Sequence, residues 1–158
     1  MSISGGAPCL WFDTKAEEAA SFYVTLFDGT IGRISRYGEG TPMKPGTAMT
    51  VEFDILGKRF SALNGGTHYS QTPAVSFFVE CDTQDEIDHI WDALCQDGKP
   101  MQCGWVTDRF GVTWQVIPRN LATWMSSDDS VATARVVAAF MPMVKLEIAA
   151  IQTAFEGR

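Results

Sequence analysis

Histidine is scarce in this chain: His68 and His89 are the only two in 158 residues. Metal centres built on paired imidazoles therefore have little to draw on. No apolar run approaches the roughly 20 residues needed to cross a bilayer. Met1 to Gly6 offers no basic segment leading into an apolar one, so no signal peptide is expected. Basic residues number 12 against 19 acidic ones, a formal charge of −7. That balance disfavours a nucleic-acid surface, which concentrates cations, and disfavours anionic membranes. Cys9, Cys81, Cys95 and Cys103 form no C-x-x-C pair and are too few for a disulfide scaffold. They are expected to be reduced, mostly buried thiols in a cytoplasmic protein.

What the chain does have is a repeat. The stretch from Asp13 to Gly29 recurs sixty-nine residues further on: Asp82, Thr83, Glu86, Trp91, Asp97 and Gly98 fall opposite Asp13, Thr14, Glu17, Phe22, Asp28 and Gly29. Each copy reads as a helix opened by a capping box, Thr14 with Glu17 and Thr83 with Glu86, that satisfies first-turn N–H groups. Each closes on a glycine, Gly29 or Gly98, placed to enter the left-handed region. With 46% apolar residues and 20% charged, the chain is long enough for one cored domain or for two small halves.

Around the first helix, Ala7 to Phe12 reads as a buried strand and Thr30 to Tyr37 as a second. Gly38 to Gly46 is a loop rich in glycine and proline. From Thr47 to Ile55 the alternation is clean, with Met49, Val51, Phe53 and Ile55 inward and Thr50, Glu52 and Asp54 outward. Gly57-Lys58 is expected to turn the chain into a strand over Arg59 to Asn64, closed by Gly65-Gly66. The second half begins with an apolar strand, Ala74 to Cys81. A helix follows with Ile87, Ile90, Trp91 and Leu94 inward. Then comes a hairpin of Met101–Thr107 and Val112–Ile117, turned by Asp108 to Gly111. Pro118 ends the sheet. An apolar stripe from Val131 to Met141, and again over Val144, Ile148, Ile151 and Phe155, predicts a helical tail broken at Pro142. That stripe can pack on its own domain or meet a partner; packing at home is the preferred reading.

The resulting pattern resembles the vicinal-oxygen-chelate superfamily of glyoxalase I, bleomycin-resistance proteins and extradiol dioxygenases. Within it, motifs such as Trp11-Phe12-Asp13, Leu63-Asn64-Gly65-Gly66 and Trp114-Gln115 make the chain most similar to the PhnB-like, "demethylubiquinone methyltransferase-like" branch. The residues that carry the resemblance are Trp11-Phe12-Asp13, Ala16 to Ala19 and Phe22-Tyr23, then Leu63-Asn64-Gly65-Gly66 and Cys81-Asp82-Thr83. Cys103-Gly104-Trp105, Asp108 to Gly111 and Trp114-Gln115 complete the set. The implied fold is α+β: two tandem βαβββ units (7–66 and 74–118) in a domain over 1–120, each sheet curled into a half-barrel, with a C-terminal helical extension over 121–158. A homodimer is the implied assembly.

The resemblance also implies where a catalytic divalent ion would sit, on His, Gln or Glu of the first and last strands of each unit. Here the first strand offers Pro8, Cys9, Leu10 or Trp11, and the fourth Phe60, Ala62 and Asn64. The fifth offers Val75, Ser76 or Phe77, and the last Gln115, where a Glu is expected. One neutral amide among four positions is a poor divalent site. No metal or other cofactor is therefore expected, although a divalent ion stays an alternative. His89 falls on the outer side of its helix, whereas His68 lies in the loop near the mouth of the implied cup. Cys9 and Cys81 have no cationic neighbour in sequence and are not expected to be nucleophiles. A methyl donor of the S-adenosylmethionine type needs a glycine-rich turn after the first strand; Asp13-Thr14-Lys15-Ala16 has none, so methyl transfer is not expected.

What remains are candidate ligand contacts: Trp11 and Trp105 as stacking surfaces, and Glu52, Asn64, His68 and Gln115 as polar groups. Asp108 and Arg109 read as turn residues. The leading expectation is a protein that binds a small molecule without a catalytic metal. The alternatives are a metal-dependent lyase or dioxygenase, and an interaction module whose cup is filled by Phe60, Phe78 and the tryptophans.

Overall fold

The computed structural model describes residues 5–158, which divide into two compact units, one ending at Gln71 and the other spanning Thr72–Arg158. The first unit runs β1 (Cys9–Phe12), α1 (Ala16–Leu26), β2 (Thr30–Arg36), β3 (Ala48–Ile55) and β4 (Lys58–Asn64). Its sheet has the order β1-β4-β3-β2, with β1 parallel to β4 and the other pairs antiparallel. The second unit repeats this with β5 (Ser76–Cys81), α2 (Gln84–Cys95), β6 (Lys99–Pro100), β7 (Trp105–Thr107) and β8 (Thr113–Pro118). Its order is β5-β8-β7-β6, again with first and last strands parallel. Two βαβββ units are thus present, as the repeat implied.

Alternation places the core of each sheet. In the first unit α1 packs on β3 and β4, burying Ala16, Ala19, Ala20 and Tyr23 against Val51, Phe53, Phe60 and Ala62. The rings of Phe53 and Phe60 stack at 5.4 Å. In the second unit Val79, Cys81, Val106, Trp114 and Val116 form the corresponding buried set, with Ile87, Ile90, Trp91 and Leu94 inward from α2. The outward residues, one position off, make up the second face of each sheet.

The two helix starts differ from each other. Thr83 and Glu86 form the expected capping box, with hydroxyl and carboxylate each accepting from the other's backbone. Thr14 and Glu17 do not: α1 starts after Lys15 with no side-chain cap from its own turn. Glu17 instead turns to Arg36 at 2.8 Å. The Ala16 N–H donates to Asn64 Oδ1, brought in from β4.

The closing glycines also differ from expectation. It is Asp28 and Asp97 that take the left-handed conformation, at φ 51° and 59°. Gly29 and Gly98 are needed for close approach: a Cβ on Gly29 would be driven into the Asp54 carbonyl oxygen, and one on Gly98 into the carbonyls of Leu94 and Thr107.

Two turns fall elsewhere than the sequence suggests. β3 and β4 are joined by Leu56-Gly57, not Gly57-Lys58; both have positive φ, and Ile55 pairs with Lys58. That is the two-residue hairpin whose twist suits its strands. The expected strand over Met101–Thr107 is interrupted by a turn in which Cys103 and Gly104 have φ 62° and 76°, leaving short β6 and β7. The following turn is as expected. Asp108 accepts the N–H groups of Phe110 and Val112 on one oxygen and the indole N–H of buried Trp114 on the other.

Beyond β8 lie α3 (Leu121–Met125), inside the expected helical extension but ahead of its apolar stripe, then α4 (Ser130–Phe140) and α5 (Ile148–Glu156), separated at Pro142 as expected. These helices pack on their own unit. Leu121, Trp124, Val136, Phe140, Leu146 and Ile151 bury Ile117 of β8 in a shared cluster. The linker between α4 and α5 runs beside the β6–β7 turn, with Cys103 N–H to Met143 O at 2.7 Å and Gly104 N–H to Val144 O at 2.9 Å. Gln84 of α2 holds the same linker, donating to Leu146 O and accepting from Ile148 N–H. No helix among the described residues is long and apolar enough to cross a membrane.

Candidate functional site

The face of the first sheet away from α1 carries two rows of side chains. Backbone pairing sets Trp11, Leu63, Thr50 and Ser35 side by side, with Cys9, Ser61 and Glu52 in the next row. The hydroxyls of Ser35 and Thr50 share a hydrogen bond, and Glu52 pairs with Arg33 at 2.7 Å. Trp11 is fixed at its polar end and along its ring. Its indole N–H donates to Gly66 O at 2.8 Å, and the ring leaves no room for a Cβ on Gly65. Tyr69 meets it edge-on at 4.9 Å, and His68 meets Tyr69 at 4.6 Å. Gln71 then donates to Trp11 O. Leu63, Gly65 and Gly66 therefore serve as a bed for the indole.

In the second sheet, Trp105 and Phe78 flank Gln115 on the face away from the buried set, each being its direct cross-strand partner. Gln115 Nε2 donates to Ser76 Oγ at 2.8 Å, which orients the amide. The neighbouring row is Thr107, Thr113 and Ser76, with the two threonine hydroxyls 3.1 Å apart. Phe78 is 60% exposed. Phe60 lies on the opposite, helix-facing side of its own sheet.

The six candidates thus fall into three groups. Trp11 and His68 are linked through Tyr69, and Glu52 shares their sheet face. Trp105 and Gln115 are neighbours in the second sheet. Asn64 joins neither group: it is 1% exposed, with Oδ1 bound by Ala16 N–H and Nδ2 donating to Ala48 O. Its neighbours in alternation, Phe60 and Ala62, are also turned toward α1, so the outward positions of β4 are Ser61 and Leu63. Sequence reading missed Ser61, Leu63, Tyr69, Thr107 and Thr113. The alternation of β3 is the signal for the first two, since Ser61 pairs with outward Glu52 and Leu63 with outward Thr50.

The outward positions of the first and last strands are therefore Cys9 and Trp11, Ser61 and Leu63, Ser76 and Phe78, and Thr113 and Gln115. Hydroxyls, an amide, aromatic rings and one thiol do not make the oxygen-and-imidazole set that a catalytic divalent ion requires. Among the described residues, no three His, Cys, Asp or Glu side chains gather. Nor is a nucleophile prepared. Burial pushes the Cys81 thiol up to about 11, with Glu86 and Asp82 adding to the shift, and burial with Asp92 raises Cys95. A raised pKa withholds the thiolate that would react. Cys9, expected to be buried in β1, is exposed at the start of an edge strand.

A family model described as 3-demethylubiquinone-9 3-methyltransferase matches residues 5–117. A solved PhnB protein from Bacillus cereus carrying that same description is 36% identical, with a TM-score of 0.67 over 72% of this chain and 99% of that one. Protein PA1353 from Pseudomonas aeruginosa is 22% identical, with a TM-score of 0.61 over 73% and 98%. The fosfomycin resistance protein FosX from Listeria monocytogenes, at 12% identity, has a TM-score of 0.58 over 80% and 100%. No curated protein matches the chain. The family match stops at the end of β8, so α3, α4 and α5 lie beyond it.

Proposed function

We propose a ligand-binding role for this chain, which belongs to the 3-demethylubiquinone-9 3-methyltransferase family of the vicinal-oxygen-chelate fold. The ligand is a small, planar, uncharged organic molecule, held without a catalytic divalent ion. One observation carries this reading: Trp105 and Phe78 flank Gln115, whose amide is already oriented by Ser76. Two aromatic surfaces around one fixed amide suit a flat molecule bearing a carbonyl or hydroxyl. The Gln115 Oε1 is the acceptor, and the Ser76 hydroxyl is free to donate while it accepts from Gln115. Methyl transfer, the activity in the family's description, finds no support in the residues. The β1–α1 connection holds Asp13, Thr14 and Lys15 but no glycine, and β1-β4-β3-β2 is a mixed sheet rather than a nucleotide-binding parallel one.

The test is a titration with a methoxylated benzoquinone, a probe taken from the family's description, followed through the indole N–H resonances by NMR in the presence of EDTA. The expected result is saturable movement of the Trp105 resonance and of the Gln115 amide, lost in Gln115→Ala. Trp114, bonded to Asp108 on the other face, should stay still. Binding that appears only when Zn, Mn, Ni or Fe is restored would reverse the ranking toward a metal-dependent enzyme.

A further inference from the structure

We infer that Cys103 and Met141 form a binding site for a soft monovalent cation, Cu(I) or Ag(I). Cys103 Sγ lies 3.7 Å from Met141 Sδ and 3.4 Å from the Met141 carbonyl oxygen. A thiolate beside a thioether is the ligand pairing that selects Cu(I) over the hard divalent ions. Two sulfurs bound to one ion at about 2.3 Å each can be no more than about 4.6 Å apart. The observed separation falls within that limit, and opening the pair by about 1 Å, within reach of the exposed Met141 side chain, brings the two sulfurs to opposite sides of the ion.

The pairing is held by backbone on both sides. Cys103 N–H donates to Met143 O and Gly104 N–H to Val144 O, tying the β6–β7 turn to the linker after α4. Leu146 packs close to Gly104 beneath this junction. Met141 itself is 51% exposed and Cys103 half-buried, so an ion reaches the pair from solvent while the stems stay anchored. Binding exchanges the thiol proton for the metal: the S–H bond breaks, a metal–sulfur bond forms, the proton leaves to solvent, and the ion's oxidation state is unchanged. The site does not depend on the ligand-binding reading above. It joins the family domain to the helical tail, and Met141 lies outside the residues that match the family model.

The test uses the full, reduced chain, with Cu(I) buffered by bathocuproine disulfonate and Ag(I) as a redox-inert substitute. The Met141 methyl resonance is followed in protein labelled at methionine methyl carbons. One equivalent is expected to bind, moving the Met141 methyl from the first addition and releasing a proton. Cys103→Ser and Met141→Leu should each weaken it by about tenfold or more. Cys9→Ser, which removes an exposed thiol of the other unit, should not. Loss in Cys103→Ser without loss in Met141→Leu would mean a single thiol and would overturn the site. So would a first equivalent that follows Cys9, or a Met141 methyl that stays still at saturation. Met141→Leu keeps an exposed apolar side chain, so it reports on the sulfur rather than on folding.

Discussion

Asn64 Oδ1 accepts the backbone N–H of Ala16 at 2.8 Å, so a strand amide closes the first turn of helix α1. The same side chain donates from Nδ2 to Ala48 O at 2.9 Å. One residue thus ties β4 to α1 and to the start of β3, in a place with no access to water. Asn64→Ala leaves a donor and an acceptor buried without partners, and an unmade buried hydrogen bond costs more than a made one contributes. The expected loss is about 2–4 kcal/mol, measured as a shift in the urea midpoint. Asn64→Ala should not act through lost ligand contacts.

Thr83→Ala and Thr14→Ala look equivalent in sequence and should not be equivalent in effect. Thr83 accepts from Glu86 N–H, whereas α1 has no side-chain cap from its own first turn. Loss of the Thr83 cap is expected to cost about 1 kcal/mol, and Thr14→Ala should fall within about 0.5 kcal/mol of the parent. Paired thermal melts decide it.

The Asp-Gly pairs predict an inverted result at both helix ends. Glycine is usually the residue that supplies positive φ, yet here Asp28 and Asp97 do so. Asp28→Gly and Asp97→Gly should therefore be near neutral, because relief in the left-handed region offsets added chain freedom. Gly29→Ala and Gly98→Ala push a methyl into backbone carbonyls and should each cost about 2 kcal/mol or more. Equal effects at the two positions of either pair would contradict the observed geometry.

Cys81 gives a pH-dependent signature. Its thiol is raised from 9.0 to about 11 in the folded chain, first by burial and then by Glu86 and Asp82. A group that holds its proton more tightly when folded contributes stability that is complete below the unfolded pKa and is lost as pH rises toward the folded one. The urea midpoint should therefore fall between about pH 9 and pH 11, and fall less in Cys81→Ala. At neutral pH a thiol reagent should modify exposed Cys9 well before Cys81.

Much of the architecture is visible in the chain because the signals are local. The Thr83 capping box, the alternation of Val51, Phe53 and Ile55, and the break at Pro142 depend only on near neighbours. The cap on α1 was not visible, because its acceptor sits forty-eight residues away in β4. The identity of the outward residues on β4 failed for a different reason. The ligand positions implied by the resemblance conflict with the alternation of β3: Phe60 pairs with inward Phe53 and Ala62 with inward Val51. Moving the turn by one residue shifts that pairing by two and leaves the faces unchanged. Phe60, Ala62 and Asn64 therefore face α1, and Ser61 and Leu63 hold the outward positions. Trp105 and Gln115, each expected separately as a ligand contact, come together because the hairpin turned by Asp108 to Gly111 pairs them directly.

Parallel pairing of β1 with β4 sets the order in which the first unit can be made. Cys9 meets Ser61 and Phe12 meets Asn64, and the Ala16 N–H waits for Asn64 as well. A nascent chain leaving the ribosome therefore carries an edge strand and an unfinished helix until Asn64 clears the exit tunnel, and only then can this half close in one step. Translation arrested before that point should leave the emerged segment open to proteases, and arrest well beyond Gln71 should leave it protected.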